Sequence, residues 1–253
     1  MRPSSKTPII KRAFDILSSG LVILLISPIL IAVAVAIRLE SKGPIFYYSY
    51  RVGKNYKIFK FYKFRSMRTD ADQLVDKLKH LNQYGNDEKI ELEEKALDRH
   101  AIAYNSHDQV VINDESYTGL QQFEDFKEQD NANSFVKFKN DPRITRVGKF
   151  IRNTSIDELP QLFNILKGDM SVVGNRPLPI YEAQKLTTDK AVGRFLAPAG
   201  LTGLWQVTDR GKTEVDPENR VKLDIEYAMK HNFWLDMWIL FKTPFAALQQ
   251  ENV

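Results

Sequence analysis

The stretch Arg152–Pro177, RNTSIDELPQLFNILKGDMSVVGNRP, sets adjacent carboxylates, Asp157 and Glu158, just ahead of a short helix, then follows the helix with a glycine turn carrying Arg176 between Asn175 and Pro177. Leu159, Leu162, Phe163 and Leu166 recur at helical spacing, which predicts one buried apolar face, and Gly168 stands where a C-terminal cap belongs. Pro160 has no N–H and fits only the first turn, so the helix is expected to start at Ser155, Ile156 or Asp157. The layout is that of a catalytic site. Ser155 and Glu158 also have capping-box spacing, so spacing alone explains both acids as plain helix caps.

Upstream, residues 16–37 carry no charge and are flanked by Lys6, Lys11 and Arg12 on one side and Arg38 and Lys42 on the other. That length suffices to cross a bilayer, and no small-residue cleavage site follows. Ser27-Pro28 interrupts the segment: proline removes a backbone hydrogen bond, and the serine hydroxyl can take up a freed carbonyl. Basic residues at both ends favour both ends in the cytoplasm. A single crossing helix and a re-entrant hairpin broken at Ser27-Pro28 are therefore both open.

After Gly43-Pro44, the runs IFYYSY and KIFKFYKFRSM, rich in aromatics and separated by Val52-Gly53-Lys54-Asn55, read as a β-hairpin. Lys63 and Arg65, two apart, are expected on one face, where they could meet phosphates. Of 36 basic and 32 acidic residues, 8 and 16 fall within 70–140, so a basic body is offset by an acidic stretch. This stretch reads as an insertion with limited core and a helix near 71–81. Asp70-x-Asp72 has the spacing of the metal-binding pair of many glycosyltransferases, although aspartates in an acidic tract are usually just solvated.

TGLWQV, at 202–207, reads as a turn leading either to a loop against a nucleotide base or to a packed hairpin. Phe233, Trp234, Met237, Trp238 and Phe241 share a helical face suited to a membrane interface or to a core. The absence of cysteine excludes disulfides and thiolate chemistry, and no nucleic-acid-binding signature accompanies the basic body, so no nucleic-acid partner is expected.

In order, KRAFDILSSG, Ser27-Pro28, Gly43-Pro44-Ile45-Phe46, YKFRSM, DPRITRVGKFIR, SIDELPQLFNILKGDMSVVGNRP and PAGLTGLWQV resemble the bacterial monotopic phosphoglycosyl transferases, or bacterial sugar transferases, over nearly the whole chain apart from 72–138. The resemblance implies an α+β enzyme with a re-entrant membrane helix in 1–42, a cytoplasmic catalytic domain in 43–253 bearing a small β-hairpin region, and amphipathic helices at the membrane surface. It implies transfer of a sugar 1-phosphate from a nucleoside (by family habit uridine) diphosphate sugar to undecaprenyl phosphate, a polyprenol phosphate, with UMP released. Mg2+ would be the cofactor, and the cytoplasmic face of the bacterial inner membrane the location. Asp157 would be the nucleophile, with Glu158 as neighbouring base and both as metal ligands. Arg152 and Arg176 match the family's phosphate-binding arginines, Lys63 and Arg65 its basic strand, and Thr202, Gly203 and Gln206 its nucleotide loop. A carboxylate at a helix N-terminus is expected to stay ionised, as a nucleophile must. The family commonly has proline where this chain has Asn175, and the expected form is the small one, without a four-helix membrane domain. The rival is a membrane-bound metal-dependent glycosyltransferase using Asp70 and Asp72, which would release nucleoside diphosphate.

Overall fold

The computed structural model describes residues 8–71, 109–113, 116–119, 141–186, 191–209 and 217–248. Helix α1 (Ile9–Glu40) is long and apolar enough to cross a membrane, with a mean hydropathy of 2.9 in its most apolar window. It runs without interruption through Pro28. Ser27 Oγ donates to Leu24 O at 2.8 Å, occupying the carbonyl that Pro28 leaves without a donor. The expected sharp break is thus, in the described helix, a repaired ladder.

Strands β1 (Phe46–Val52) and β2 (Ile58–Phe64) form the expected antiparallel hairpin, with Tyr47 opposite Lys63 and Ser49 opposite Phe61. Within the acidic stretch, β3 (Gln109–Asn113) and β4 (Ser116–Gly119) pair antiparallel, whereas the helix expected near 71–81 falls, beyond Ala71, outside the described residues. Helix α2 (Arg146–Asn153) leads through a 3-10 turn (Ile156–Glu158) into α3 (Gln161–Lys167), and then β5 (Ser171–Val173), β6 (Leu178–Pro179) and α4 (Ile180–Lys185) follow. A 3-10 segment (Val192–Leu196) precedes β7 (Gly200–Thr202), α5 (Leu204–Thr208), α6 (Pro217–Lys230) and α7 (Phe233–Leu248). β6 adds to β1 on the side away from β2, and β5 runs parallel to β7. TGLWQV is therefore the end of a parallel strand followed by a helical turn, and the hairpin reading is corrected.

Helix α3 begins later than its sequence pattern indicated and buries a different face. Gln161, Leu162, Asn164 and Ile165 are buried, while Phe163 stays 38% exposed, edge-on to Phe46. The reason is Asn164: its Nδ2 donates to Lys60 O at 2.6 Å and its Oδ1 accepts from Tyr62 N at 3.1 Å, so the amide completes the free edge of β2. Gly168 closes the helix at φ +93°, as expected, and Arg12 donates to the terminal carbonyls of Ile165 and Leu166.

Helix α1 is built into this body at both ends. Near its start, Lys11 Nζ reaches Asp236 Oδ2 at 2.6 Å and Val173 O at 2.9 Å, while Asp15 Oδ1 accepts from Val172 N and Ser171 Oγ. Near its end, Leu30 and Ile37 pack with Phe64 and Ile151, and the Glu40 carboxylate accepts from Arg146 N and Val147 N at the start of α2. Its remaining surface is apolar and exposed, with Leu17, Leu24, Leu25 and Ile31 all more than half accessible. Helix α7 buries Ile239 and Asp236 but exposes Phe233, Trp234, Trp238, Phe241 and Phe245. Its aromatic face is unburied surface.

Candidate active site

Asp157 and Glu158 sit in the 3-10 turn between α2 and α3, and the bend that puts them there is Ser155, at φ +56°. A left-handed serine is costly for an L-residue and cannot act as an N-cap, so the capping box is not formed. Asp157 also precedes α3 by a turn, so its charge is not held by that helix's N-terminus, as the sequence had suggested. Its neighbours decide its chemistry. Lys63 Nζ, brought in on β2, lies 2.7 Å from Glu158 Oε1 and 3.6 Å from Asp157 Oδ2.

The two acids respond differently. Burial pushes the Asp157 carboxyl up, the Glu158 charge adds to that, and Lys63 and Arg152 only partly oppose it, leaving Asp157 above the ordinary aspartate value. Burial acts on Glu158 in the same direction, but Lys63, followed by Arg176, outweighs it and holds Glu158 below the ordinary glutamate value. Adjacent carboxylates with divergent proton affinities suit separate roles.

An open cleft of about 860 Å³ is lined by Lys63, Ser155, Glu158, Gln161, Arg176, Trp205 and Gln206, among others. Arg152, in the last turn of α2, donates from Nε to Ser66 Oγ at 2.8 Å, and its charge favours the ionised form of Asp157. Arg176 is exposed to the cleft, and its turn is fixed from beneath. Asn175 Nδ2 donates to Arg194 O at 2.8 Å and to Asp224 O at 2.9 Å, and Arg194 Nη2 bonds both Asp224 Oδ2 at 2.6 Å and Arg176 O at 3.2 Å. Gly174 permits this close layering, since a Cβ there would stand 2.3 Å from Pro198 O.

Three residues singled out from sequence are directed elsewhere. Arg65 lies past the end of β2, 7% exposed, with its guanidinium on Ser41 O and Lys42 O, where it secures the chain leaving α1. Thr202 Oγ1 meets Thr243 Oγ1 at 2.9 Å, and Gly203 abuts Gly174 O so closely that a Cβ would sit 2.1 Å away. Thr202 and Gly203 therefore join β5, β7 and α7, and of that trio Gln206 alone lines the cleft. Asp70 is paired with Arg68 at 2.9 Å, and Asp72 lies outside the described residues.

Sequence reasoning missed Gln161, Asn175, Arg194 and Asp224. Gln161 lies opposite the apolar face that the leucine spacing indicated, so it carried no signal, and the other three are joined by contacts between distant segments that leave no local pattern. Asp224 is 2% exposed, and burial pushes its carboxyl up to about 6 against the pull of Arg194 and Arg220.

Among the described residues no group of three or more His, Cys, Asp or Glu could hold a metal. The Asp157–Glu158 pair offers hard oxygen ligands on one turn, which fits Mg2+, a cation commonly held by one or two carboxylates together with substrate phosphates and water.

Residues 6–250 match the bacterial sugar transferase family. The chain is 37% identical to the undecaprenyl-phosphate galactose phosphotransferase of Salmonella typhimurium over 96% of its own length and 41% of that protein's. It is 36% identical to the galactosyl transferase CpsE of Streptococcus agalactiae, over 93% and 41%, and 31% identical to the exopolysaccharide production protein ExoY of Rhizobium meliloti, over 92% and 83%. It thus spans about two fifths of the first two relatives and most of the third. With a match across almost every described element, from α1 to α7, the chain belongs to the bacterial sugar transferase family.

Proposed function

We propose that this protein transfers a sugar 1-phosphate from a uridine diphosphate sugar to undecaprenyl phosphate, through a covalent intermediate on Asp157. The observation that carries the reading is the buried Asp157 in a turn shared with Glu158, with Lys63 against both acids, and with Glu158, Lys63 and Arg176 lining one cleft behind whose wall Asp157 lies. Two relatives are named for phosphate transfer to undecaprenyl phosphate, the Salmonella protein with galactose and an Escherichia coli protein, 32% identical, with glucose 1-phosphate from UDP-glucose.

In the first step an Asp157 carboxylate oxygen attacks the phosphorus bonded to the sugar. A new O–P bond forms, the bond to the bridging oxygen breaks, and uridine monophosphate departs with the electron pair. In the second step an oxygen of undecaprenyl phosphate attacks the same phosphorus, releasing Asp157 and giving undecaprenyl diphosphate sugar. Lys63, Arg152 and Arg176 offset charge on the phosphoryl oxygens as it shifts. Glu158, kept ionised by Lys63, steadies that lysine and can accept a proton from the attacking side. Mg2+, held by Asp157 and Glu158 with the diphosphate, would supply charge neutralisation for the leaving phosphate.

The lipid acceptor requires a membrane site. A 32-residue helix is about 48 Å long, and α1 has both ends bonded to one body, Lys11 and Asp15 to the segment around β5 and Glu40 to α2. A crossing helix would put its ends on opposite sides of a hydrocarbon layer about 30 Å thick. Tethering at both ends therefore favours a helix with both of its ends on one side of the membrane, which we assign to the cytoplasmic face of the inner membrane. The product would be the first lipid-linked unit of a surface polysaccharide or glycan.

Full-length protein incubated with UDP-glucose or UDP-galactose and Mg2+, without lipid acceptor, is expected to release uridine monophosphate once per site and to gain the mass of a hexose phosphate, read by intact-protein mass spectrometry. Release of uridine diphosphate would instead identify the rival glycosyltransferase.

A further inference from the structure

We propose that the cleft contains a hydroxyl-reading subsite built on Asp224, which takes a sugar hydroxyl of the donor; the inference rests on the phosphotransfer reading above and specifies how that site reads its substrate. Asp224 lies in the cleft wall on α6, with Arg194 and Arg176 lining the same cleft. One of its carboxylate oxygens, Oδ2, is bonded to Arg194 Nη2 at 2.6 Å. The other, Oδ1, is buried and has no hydrogen-bond partner. A buried carboxylate oxygen without a donor is costly, and such atoms are rare unless a ligand, ion or water completes them.

The chemistry of the missing partner follows from its surroundings. It must be a donor, because a carboxylate oxygen accepts. It need not be a cation, because Arg194 already balances the charge and Arg220 adds to it. A hydroxyl meets both conditions. Arg194 also donates to Arg176 O at 3.2 Å, so Asp224 stands one side chain away from the main chain that carries the phosphate-facing arginine. Gln206 Oε1, in the same cleft wall, is likewise buried without a partner, which adds an acceptor beside the same space. Hydroxyls in a nucleotide sugar belong to the ribose or to the hexose, and both carry adjacent pairs suited to such a wall.

The test uses wild-type protein first, so that folding is not in question. Uridine monophosphate release is measured with UDP-glucose and UDP-galactose and with their deoxy counterparts, lacking in turn the ribose 2′ or 3′ hydroxyl or one hexose hydroxyl. One deoxy donor is expected to lose at least about tenfold in kcat/KM, and its identity tells ribose from hexose. The parent-to-deoxy ratio is then measured in Asp224→Asn, whose amide would turn its oxygen to Arg194 and its NH2 to the cleft, and in Asp224→Glu, which keeps the charge opposite Arg194 but moves the free oxygen. The ratio is expected to fall to within about threefold of unity in each folded variant, whereas a merely structural Asp224 would lower all donors together and leave the ratio intact. A wild-type series in which no deoxy donor loses more than about threefold, or a ratio unchanged in the variants, overturns the subsite while leaving the transfer reaction standing. A wild-type protein inactive on every parent donor would remove the reaction itself, and the subsite with it.

Discussion

Asp157 is held in a place that suits its proposed chemistry and works against the fold. Because its carboxyl keeps its proton to a higher pH in the folded chain than in the unfolded one, its contribution to stability is complete below its ordinary value of 3.8 and is lost as pH rises through the elevated folded value. Asp157→Asn removes that loss. The variant is expected to melt above wild type at pH 7, with the gap closing towards pH 4, while turnover falls by at least about 10³-fold. Thermal melts at stepped pH read the first effect and uridine monophosphate release the second. A variant that melts well below wild type at pH 7 would show that the Lys63 contact dominates instead.

A second residue-scale expectation concerns Asn175, where the resembled family commonly has proline. Its amide NH2 satisfies two buried carbonyls, Arg194 O and Asp224 O, directly beneath the turn of Arg176. Asn175→Ala strands both and should cost about 1–3 kcal/mol in chemical denaturation, with a raised KM for the nucleotide sugar as Arg176 loosens. At this scale the sequence was only partly legible. The Asp157–Glu158 pair was visible because it is local, and so was Gly168. The purposes of Asn175, Arg65 and Thr202 were not, because each is settled by atoms far along the chain: Asn175 by Asp224, Arg65 by Ser41, and Thr202 by Thr243.

Among the elements, the hairpin and α1 were readable from composition, since alternating aromatics and an uncharged apolar run are strong patterns. Helix α3 was readable as a helix but not in its facing, because the amide of Asn164 pairs with the edge of β2 and so draws a polar residue inward. The most consequential junction had no sequence signal at all. Glu40, at the end of α1, supplies both carboxylate oxygens to the N–H groups of Arg146 and Val147 at 2.8 and 2.9 Å, beside the Thr145 cap. Since α2 carries Arg152 in its last turn, α1 and a proposed phosphate-binding arginine share a mechanical connection. Glu40→Ala is expected to lower stability by about 1 kcal/mol, the usual worth of a lost cap, and Glu40→Gln by less. Parallel loss of turnover in the folded fraction would register the connection to Arg152; unchanged turnover would show that α2 keeps its position through Thr145 alone.

For the molecule as a whole, the apolar surface of α1 and the exposed aromatics of α7 meet where Phe14 and Phe233 stand edge to face, with ring centres 6.4 Å apart. Such surface is suited to lipid and ill suited to water. The absence of native cysteine makes the arrangement directly measurable: Arg2→Cys and Lys42→Cys, each introduced singly, are expected to be equally protected from an impermeant maleimide added to intact cells, and equally reactive once the membrane is opened. Labelling of one from outside while the other stays protected would establish a crossing helix and refute entry and exit on a single side.

The bonds that seat the start of α1 also impose an order in time. Asp15 waits for Ser171, 156 residues later, and Lys11 waits for Asp236, 225 residues later. At synthesis rates of about 5–20 residues per second, Lys11 is joined to the chain roughly ten to forty-five seconds before its carboxylate partner exists. During that interval a helix of high hydropathy is already made, and the protein surface it will rest on is not. If α1 enters a bilayer as proposed, lipid would shelter it during that interval, and the rest of the chain would then be assembled against a helix already in place.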